Sequence, residues 1–251
     1  FDIGNIPKMS LDEGKLLEIY TELEFKAWTE ELKNKRGLSS KQTSVSEPQA
    51  YVSKEPPDVS SEINYEVILE FSHLKKWITK ITNSELLAID TETDSLDYIS
   101  AKLIGISMSV KPNSAAYIPL GHDYLGAPEQ LDKEIVLNQL QPILENPHVK
   151  KVGQNIKFDM SVFRQHGINL CGISFDTMLE SYVINSIATR HDMDSLASTY
   201  LNVATTKFTD VAGKGAKKLT FNQIDLDQAA PYASEDCLLY TSPSPRDTPQ
   251  S

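Results

Sequence analysis

The sequence predicts an α/β fold, in which a mixed β-sheet is flanked by helices. Three short segments, residues 86–89, 102–110 and 115–119, carry the apolar runs or the alternation of β-strands and follow one another closely. From residue 131 onward, segments of helical period alternate with short strand-like segments. Three neighbouring strands followed by alternating helices and strands are typical of a mixed sheet with helices packed on it.

The individual elements are predicted from apolar spacing, capping residues and turn formers. A strand at 64–69 precedes a helix at 72–82 that Ser72 would cap, and residues 111–114 predict a hairpin turn. Pro142 and Pro231 fall inside predicted helices and should bend them. The remaining predicted helices are 131–145, 156–166, 177–187, 193–201 and 226–236, and the remaining strands are 149–152 and 173–175.

Composition narrows the class of protein. With 251 residues, of which 40% are hydrophobic, the chain can bury the core of one main domain and carry appendages. No apolar run reaches the roughly 20 residues of a membrane span. Neither Cys171 nor Cys237 has disulfide or zinc spacing, which indicates a reducing cytoplasm. Lys and Arg number 24 against 35 Asp and Glu, a net charge of −11, which argues against a protein that coats nucleic acid but not against an enzyme that grips a few nucleotides through metal ions.

The chain divides by composition into four segments. It begins at Phe1 without an initiating Met, so we interpret it as a fragment. Residues 1–35 include an amphipathic helical pattern, and residues 36–61 have the Ser, Lys, Pro and Glu content of a flexible, disordered linker. The main domain is predicted at 62–236. Residues 237–251 turn to Pro and Ser and are interpreted as a tail foreign to the preceding helix.

The most informative stretch is LLAIDTETDSLD at residues 86–97, which begins with the predicted buried strand at 86–89. Side chains alternate along a strand, so Asp90 and Glu92 should project from one face. Two neighbouring carboxylates repel each other unless a cation lies between them, and hard divalent cations prefer such oxygen ligands. A solvated acidic turn is the alternative for one such motif by itself.

Two further acidic residues stand in helical settings downstream: Asp159 in GQNIKFD, and Asp236 in YASED, four residues after Tyr232. A two-metal site needs oxygen ligands from several parts of the fold to hold two cations about 3.5–4 Å apart. The three motifs, in this order, resemble those of the DEDDy proofreading nucleases. Residues 71–236 resemble more closely the 3′–5′ exonuclease domain of bacterial DNA polymerase I, a family A polymerase, with supporting stretches KVGQN, FDTMLESY, RHDMDSLA and LTFNQI.

The resemblance implies a ribonuclease H-like fold and a role for each acidic residue. Asp90 would bridge two divalent cations, Mg²⁺ or Mn²⁺. Glu92 and Asp236 would complete the ligands of the cation that activates water, and Asp159 would hold the second cation. Tyr232, one helical turn before Asp236, would address the same water. A Tyr packed in the core and an Asp at the surface is the alternative for that pair seen alone.

The resemblance also implies residues that bind substrate. Leu96 and Phe208 match positions at which the family places apolar wedges against terminal bases, although a Leu or Phe is more often part of a core. Gln154 and Asn155 would contact substrate, although Asn155 could simply cap the following helix. Basic candidates for phosphate contacts, with a solvated loop as the alternative, are Arg190, His191, Lys214, Lys217 and Lys218.

These observations predict a metal-dependent 3′–5′ exonuclease that removes nucleotides from single-stranded or frayed DNA ends. It would be the proofreading domain of a DNA polymerase whose polymerase domain lies in cis. By a looser resemblance, residues 1–35 would be the end of a preceding 5′-nuclease domain. The expected protein is a cytoplasmic monomer without a membrane partner. Two alternatives stay open: a ribonuclease D-type exonuclease that acts on RNA, and a catalytically silent single-strand-binding or scaffold module.

Overall fold

The computed structural model describes residues 12–23, 25–35, 63–187 and 190–241. The chain divides between Glu55 and Pro56 into two compact units. The predicted linker at residues 36–61 lies outside the described residues and stays a prediction. No described helix is long and apolar enough to cross a membrane.

The described part of the first unit consists of two helices, α1 (Glu13–Glu22) and α2 (Lys26–Lys35). The turn between them brings together the rings of Tyr20, Phe25 and Trp28, whose centroids lie 4.9–6.1 Å apart. Aromatic pairs at such distances add stability beyond the area that they bury. The single amphipathic pattern of the sequence therefore corresponds to a helical hairpin with an aromatic contact at its turn.

The second unit contains a six-stranded mixed sheet. Its strands are β1 (Asn64–Val67), β2 (Leu86–Thr93), β3 (Leu103–Lys111), β4 (Ser114–Pro119), β5 (Lys150–Gly153) and β6 (Ile173–Asp176). They lie in the order β1-β4-β3-β2-β5-β6. Strand β2 runs antiparallel to β3 and parallel to β5, and β3 and β4 form the predicted hairpin. The pairs β1–β4 and β5–β6 are parallel, so the predicted mixed α/β sheet is confirmed.

Helices cover both faces of this sheet. They are α3 (Phe71–Thr82), α4 (Lys133–Leu144), α5 (Lys157–Gln165), α6 (Thr177–Ile184), α7 (Met193–Leu196), α8 (Phe208–Ala212) and α9 (Leu226–Thr241). A π-helical turn follows α7, and two 3₁₀ turns lie between α8 and α9. The sequence did not predict α8 or the 3₁₀ turns, because segments of five residues or fewer show no measurable helical period.

The larger part of the core lies on the face covered by α3, α4 and α5. There Leu87 and Ile89 of β2 pack with Trp77, Leu140 and Phe163, one from each helix. All five side chains are buried, and burial of such side chains contributes about 1.5–3 kcal/mol each. This layer holds β2 rigidly in the middle of the sheet.

Helix α9 packs on the opposite face. Its Ala229 and Ala233 are fully buried and join the cluster that contains Tyr117 of β4. Small side chains at these positions let the helix lie close to the strands. Because side chains alternate along β2, Ala88 and the residues two and four positions after it face α9.

Several predicted helix features are corrected by the structure. Helix α3 begins at Phe71, and the Ser72 hydroxyl does not cap it but donates to the Glu70 carboxylate at 3.2 Å. Pro142 and Pro231 lie inside α4 and α9, and both helices continue through them, so neither proline ends its helix; a bend at either proline stays a prediction. Pro142 is in the last turn of α4, where a missing N–H removes only one hydrogen bond from the helix.

The predicted end of the last helix at residue 236 is wrong. Helix α9 continues to Thr241, and Cys237 is completely buried against Ala88 and Val152. The Thr241 hydroxyl lies 3.1 Å from that of Ser109 on β3. The change to Pro and Ser begins only at Ser242, so the apolar residues before it still belong to the face that packs on the sheet. Residues 242–251 lie outside the described part of the chain.

Candidate active site

The end of β2 carries two of the predicted metal ligands. Asp90 and Glu92 pair with Ser107 and Gly105 of β3, so both carboxylates lie on the face covered by α9. A register shift directly after Glu92 marks the end of regular pairing. Both acidic side chains are half-buried, at the edge between the core and solvent.

Helix α9 adds the third acidic residue. Asp90, Glu92 and Asp236 each offer one carboxylate oxygen, and these three oxygens lie within 4.8 Å of one another. Asp236 is held there because its neighbours on the helix, Ala233 and Cys237, are fully buried against the sheet. The structure thus brings together three residues that the sequence places on one strand and one distant helix.

Asp159 approaches from α5, which packs on the other face of the sheet. Its side chain is 2% exposed, and its Oδ1 accepts hydrogen bonds from the backbone N–H (2.9 Å) and the hydroxyl (2.6 Å) of Thr91. Thr91 directly follows Asp90, so these bonds fix Asp159 beside the group of three. Burial is the largest cause of the raised pKa of Asp90, and the charge of Asp159 is the second.

Asp176 of β6, which the sequence analysis missed, fixes the start of α5. Its carboxylate accepts hydrogen bonds from the backbone N–H groups of Asn155 (3.2 Å) and Ile156 (3.0 Å), and also from that of Met178 (3.0 Å) at the start of α6. The predicted cap by the Asn155 side chain is therefore replaced by Asp176. An Asp directly before a helix is an N-cap signal, but its second role depends on strand pairing that no local pattern contains.

Burial, followed by mutual repulsion, raises the pKa values of the acidic cluster. Burial is the largest cause for Asp90 and for Glu92, and both pKa values lie well above their usual range. Burial raises the pKa of Asp159 to about 7, although the bonds from Thr91 oppose the rise. Burial, with a contribution from the charge of Glu235, raises the pKa of Asp236 to about 7. Without a cation, the cluster holds protons near neutral pH.

The donor set fits a hard divalent cation. Mg²⁺ and Ca²⁺ bind carboxylate oxygens at about 2.0–2.6 Å, so one ion can contact three oxygens that lie within 4.8 Å of one another. Asp90, Glu92 and Asp236 would hold such an ion, whose charge would offset the repulsion among them and favour their ionised forms. Asp159 adds a further carboxylate next to Asp90, where a second ion would need a ligand.

Tyr232 lies one turn before Asp236 on α9 and is half-buried. Its ring packs against those of Phe208 and Phe221, each with centroids 6.0 Å away. Burial, and then the charges of Glu92 and Asp236, raise the pKa of its phenol further above the usual range. The phenol therefore stays protonated and can donate a hydrogen bond at the edge of the cluster.

The two predicted apolar wedges differ in their surroundings. Leu96 is 91% exposed in the loop after β2. Phe208 is half-buried at the start of α8, where it stacks on Phe221 (centroids 6.4 Å apart) and lies below the Lys218 ammonium at 4.8 Å. Leu96 is open to a ligand, whereas Phe208 also belongs to the core. Their contact with bases stays a prediction.

The amide of Gln154 is engaged within the protein. It donates to the His191 carbonyl at 2.8 Å and accepts a hydrogen bond from the Thr177 hydroxyl. Asn155 adopts a left-handed backbone with φ of 54°, and its side chain is half-buried. Substrate contacts by Gln154 and Asn155 stay predictions.

The basic candidates divide into exposed and buried groups. Arg190 is exposed, and its Nε lies 3.4 Å from the Asp192 carboxylate. His191 is buried, stacks on Tyr182 at 3.7 Å and lies 2.8 Å from the Ser181 hydroxyl through Nδ1, so its prediction as a phosphate contact is wrong. The three lysines among these candidates, Lys214, Lys217 and Lys218, are exposed.

Comparison with known proteins identifies the family. A family model described as 3′-5′ exonuclease matches residues 65–242. The chain belongs to this exonuclease family. The match ends one residue after α9, which agrees with the extent of that helix in the structure.

Relatives of the exonuclease include bacterial DNA polymerases. DNA polymerase I of Pseudomonas aeruginosa is 46% identical over 223 residues, which are 88% of this chain and 23% of that protein. DNA polymerase I of Rhizobium leguminosarum is 36% identical over 189 residues, 68% of this chain and 18% of that protein. The chain therefore carries the 3′–5′ exonuclease domain of the DNA polymerase I family and spans about a fifth of the length of these relatives.

Solved structures show the fold of the exonuclease. Ribonuclease D of Trypanosoma brucei matches with a TM-score of 0.55 at 13% identity, over 70% of this chain and 62% of that one. At this identity the likeness concerns the fold alone, and it supports the expected ribonuclease H-like arrangement. It does not distinguish DNA from RNA as the substrate.

Proposed function

We propose that the exonuclease hydrolyses the last phosphodiester bond at the 3′ end of single-stranded or frayed DNA, with two divalent cations, Mg²⁺ or Mn²⁺. The observation that carries the proposal is the convergence of carboxylate oxygens from Asp90, Glu92 and Asp236 within 4.8 Å, with Asp159 fixed beside them. Two bound cations lower the pKa of an attacking water and stabilise charge on the leaving 3′ oxygen.

The residues of the chain have separate tasks in this reaction. Asp90 would share both cations, because it belongs to the group with Glu92 and Asp236 and directly precedes Thr91, which binds Asp159. Glu92 and Asp236 would complete the ligands on the side of the attacking water, and Asp159 those on the side of the leaving group. Tyr232 keeps its proton and would donate a hydrogen bond that orients the attacking water.

The predicted substrate contacts suit a substrate bound without sequence preference. Leu96 would contact the terminal base, and the ring of Phe208 offers a surface on which a base can stack for about 1–3 kcal/mol. Arg190 would approach the phosphate backbone, with Gln154 and Asn155 lining the path. A few local contacts of this kind are consistent with a chain whose net charge is −11.

The names of the relatives extend the proposal to a larger protein. We infer that the domain proofreads for a DNA polymerase domain carried on the same polypeptide, and that it works as a monomer. The cytoplasm is the expected compartment, because a bacterial polymerase meets its DNA there. Residues 1–35 would be the end of a preceding 5′-nuclease domain.

A degradation assay on matched oligonucleotides tests the proposal. The chain should release nucleotides from the 3′ end of single-stranded DNA when Mg²⁺ or Mn²⁺ is present and not when EDTA is added. Asp236→Asn should lower the rate more than about 100-fold, since loss of even an outer partner of a metal ligand costs about 10–100-fold. Glu129→Gln, at an exposed acidic position outside the cluster, is the matched control and should be fully active.

The same assay separates the alternatives. Faster degradation of an RNA of identical sequence would favour a ribonuclease D-type enzyme over a proofreading one. Binding of either strand without degradation would favour the silent single-strand-binding module and contradict the proposal.

A further inference from the structure

The side chain of Tyr117 lies next to Glu92 on the face of the sheet that α9 covers. Across the strands Asp90 pairs with Ser107, and Ser107 with Tyr117, so the three side chains share the face that carries Glu92. Tyr117 is completely buried and leans over Gly105, the residue directly opposite Glu92. A Cβ added to Gly105 would lie 2.1 Å from the Tyr117 hydroxyl.

The Tyr117 hydroxyl therefore occupies the space of the missing Gly105 side chain. Directly opposed residues in an antiparallel pair have Cβ atoms about 4.5–5.5 Å apart, which places this hydroxyl beside the side chain of Glu92. The charge of Glu92 also raises the pKa of Tyr117, after burial, which supports the same proximity. A phenol in this position could donate a hydrogen bond to the Glu92 carboxylate, which would then compete with a cation for the same oxygen.

His122 determines which group accepts the hydrogen bond of the Tyr117 hydroxyl. Its Nε2 lies 2.7 Å from the Tyr117 hydroxyl, and its Nδ1 lies 3.1 Å from the carbonyl oxygen of Ile224. A carbonyl oxygen only accepts, so Nδ1 carries the proton of the imidazole. Burial lowers the pKa of His122, which keeps the ring neutral. In the neutral ring Nε2 is then an acceptor, and the Tyr117 hydroxyl donates to it.

The backbone around His122 is fixed as firmly as its ring. The Gln130 side chain accepts a hydrogen bond from the His122 N–H at 2.9 Å and donates one to the His122 carbonyl at 2.7 Å. The ring itself is 5.7 Å from that of Phe221, which also contacts Tyr232. The orientation of the Tyr117 hydroxyl is therefore set by a rigid group behind it.

We propose that His122 is a positioning residue of the exonuclease: by accepting a hydrogen bond from the Tyr117 hydroxyl, it keeps that hydroxyl from donating one to Glu92, so that Glu92 remains available to the cation with Asp90 and Asp236. The proposal rests on the proposed function, because it concerns the cation that the acidic cluster would bind. Both residues are buried, so the proposal gives neither of them a contact with substrate. A purely structural pair would instead affect stability and leave the affinity for the cation unchanged.

Four variants of the full chain separate these roles, with Mn²⁺ affinity measured by calorimetric titration at one fixed pH. His122→Asn keeps an amide donor for Ile224 but loses the acceptor for Tyr117, and His122→Gln offers an amide oxygen near the place of Nε2. Tyr117→Phe removes the hydroxyl, and Tyr117→Phe/His122→Asn removes both partners. The shift in melting temperature on addition of Mg²⁺ is the second measurement.

His122→Asn should weaken Mn²⁺ binding about 10-fold, the change expected when one hydrogen bond of ordinary net strength competes for Glu92. His122→Gln should stay close to the unaltered chain. The double variant should bind Mn²⁺ better than His122→Asn alone, because the hydroxyl that competes for Glu92 is gone; such non-additivity is the sign of a direct coupling. Trp77→Phe, which disturbs a buried residue of the other core cluster, should lower stability without changing Mn²⁺ affinity.

Gln130→Ala provides a second route if His122→Asn fails to fold, since it releases the His122 backbone and should weaken Mn²⁺ binding in the same direction. Unchanged Mn²⁺ affinity in both His122→Asn and Gln130→Ala would overturn this inference and leave the proposed function intact. A double variant as weak as His122→Asn would overturn the role of the hydroxyl. Failure of the unaltered chain to bind Mn²⁺ would overturn the proposed function as well.

Discussion

Thr91 donates two hydrogen bonds to the same oxygen of Asp159, from its backbone N–H at 2.9 Å and from its hydroxyl at 2.6 Å. Both side chains are buried, and the bonds join the central strand to helix α5. Bonds to the charged form favour ionisation, yet the pKa of Asp159 is raised to about 7 because burial outweighs them. The carboxylate is thus oriented by Thr91 but not fully ionised at neutral pH without a cation.

Thr91→Val tests whether the hydroxyl of Thr91 orients the Asp159 carboxylate. The substitution removes the hydroxyl bond and keeps the volume, so we expect a loss of about 1–3 kcal/mol in the free energy of unfolding. The exonuclease rate should fall about 10-fold, as for other outer partners of metal ligands. Thr91→Ser retains the hydroxyl and is the matched control. A Val variant with full activity would show that the hydroxyl does not orient Asp159.

Asp159→Asn should abolish the nuclease and stabilise the metal-free protein at pH 8. The amide oxygen still accepts both bonds from Thr91, while the buried charge is removed. One pKa unit corresponds to about 1.4 kcal/mol, so a gain on the order of 1 kcal/mol is expected. Asp159→Ala should instead destabilise by about 1–3 kcal/mol, because the Thr91 donors lose their acceptor. Melts in EDTA beside an oligonucleotide assay measure both effects; an active Asn variant would contradict the metal role.

The metal-free protein should become less stable as the pH rises from about 5 to about 8. Asp159 and Asp236 have folded pKa values of about 7, above the value of about 3.9 in an unfolded chain. Between these values the native state binds more protons than the unfolded state, so the free energy of unfolding falls with pH. The stabilisation is complete below about pH 4 and is lost through pH 7.

Thermal melts across this range check the pH prediction. Mg²⁺ should reverse the trend, because it binds the ionised cluster and stabilises the native state in proportion to its affinity. Asp236→Asn should flatten the metal-free profile. A metal-free stability that rises steadily from pH 5 to pH 8 would show that the buried carboxylates do not dominate it.

Removal of residues 237–251 should destabilise the domain. The truncation deletes the fully buried Cys237 and the packing of Tyr240, and a loss of about 2–4 kcal/mol is expected for buried side chains of this kind. Removal of residues 242–251 alone keeps every described contact of α9 and is the matched control. Equal melting temperatures for both truncations would mean that the end of α9 contributes nothing.

Phe208→Leu and Phe208→Ala should distinguish base stacking from core packing. The Ala variant should lose about 1–3 kcal/mol of stability, because Phe208 packs against Phe221 and Tyr232. The Leu variant should stay folded but digest single-stranded DNA more slowly, since an aliphatic side chain cannot replace stacking worth about 1–3 kcal/mol. Leu96→Ala, at an exposed site, should slow digestion without affecting the melting temperature. Normal digestion by Phe208→Leu would confine this residue to the core.

The parts of the site that the sequence predicts are those with a local signal. Asp90 and Glu92 follow from alternation along a strand, and Tyr232 and Asp236 from the spacing of one helical turn. The resemblance to a known family then joins the motifs. The mixed sheet follows similarly from the order of strands and helices. Five of the six strands have predicted bounds within two residues of the structure, whereas β2 continues four residues beyond its predicted end at residue 89.

The parts that the sequence does not predict depend on contacts between distant residues. The bonds from Thr91 to Asp159 span 68 positions, and the two caps by Asp176 link neighbouring strand ends. His191 lies in a segment with the composition of a basic loop, but its side chain is buried against Tyr182 and Ser181. The sequence predicts the end of α9 too early, because the Pro and Ser of residues 242–251 are typical of a tail and follow Cys237 closely. The burial of Cys237 depends on the packing of the helix against the sheet.

The place of α9 at the end of the described chain affects the order in which the nuclease is assembled during translation. The contact between Ser107 and Cys237 joins residues 130 positions apart, so the strands leave the ribosome long before the helix that covers them. Until then Asp90 and Glu92 lack their third partner. A nascent chain that ends before α9 therefore carries an incomplete acidic cluster. The same delay leaves the inner face of the sheet, including Ala88 and Tyr117, open to water and to chaperones until translation passes α9.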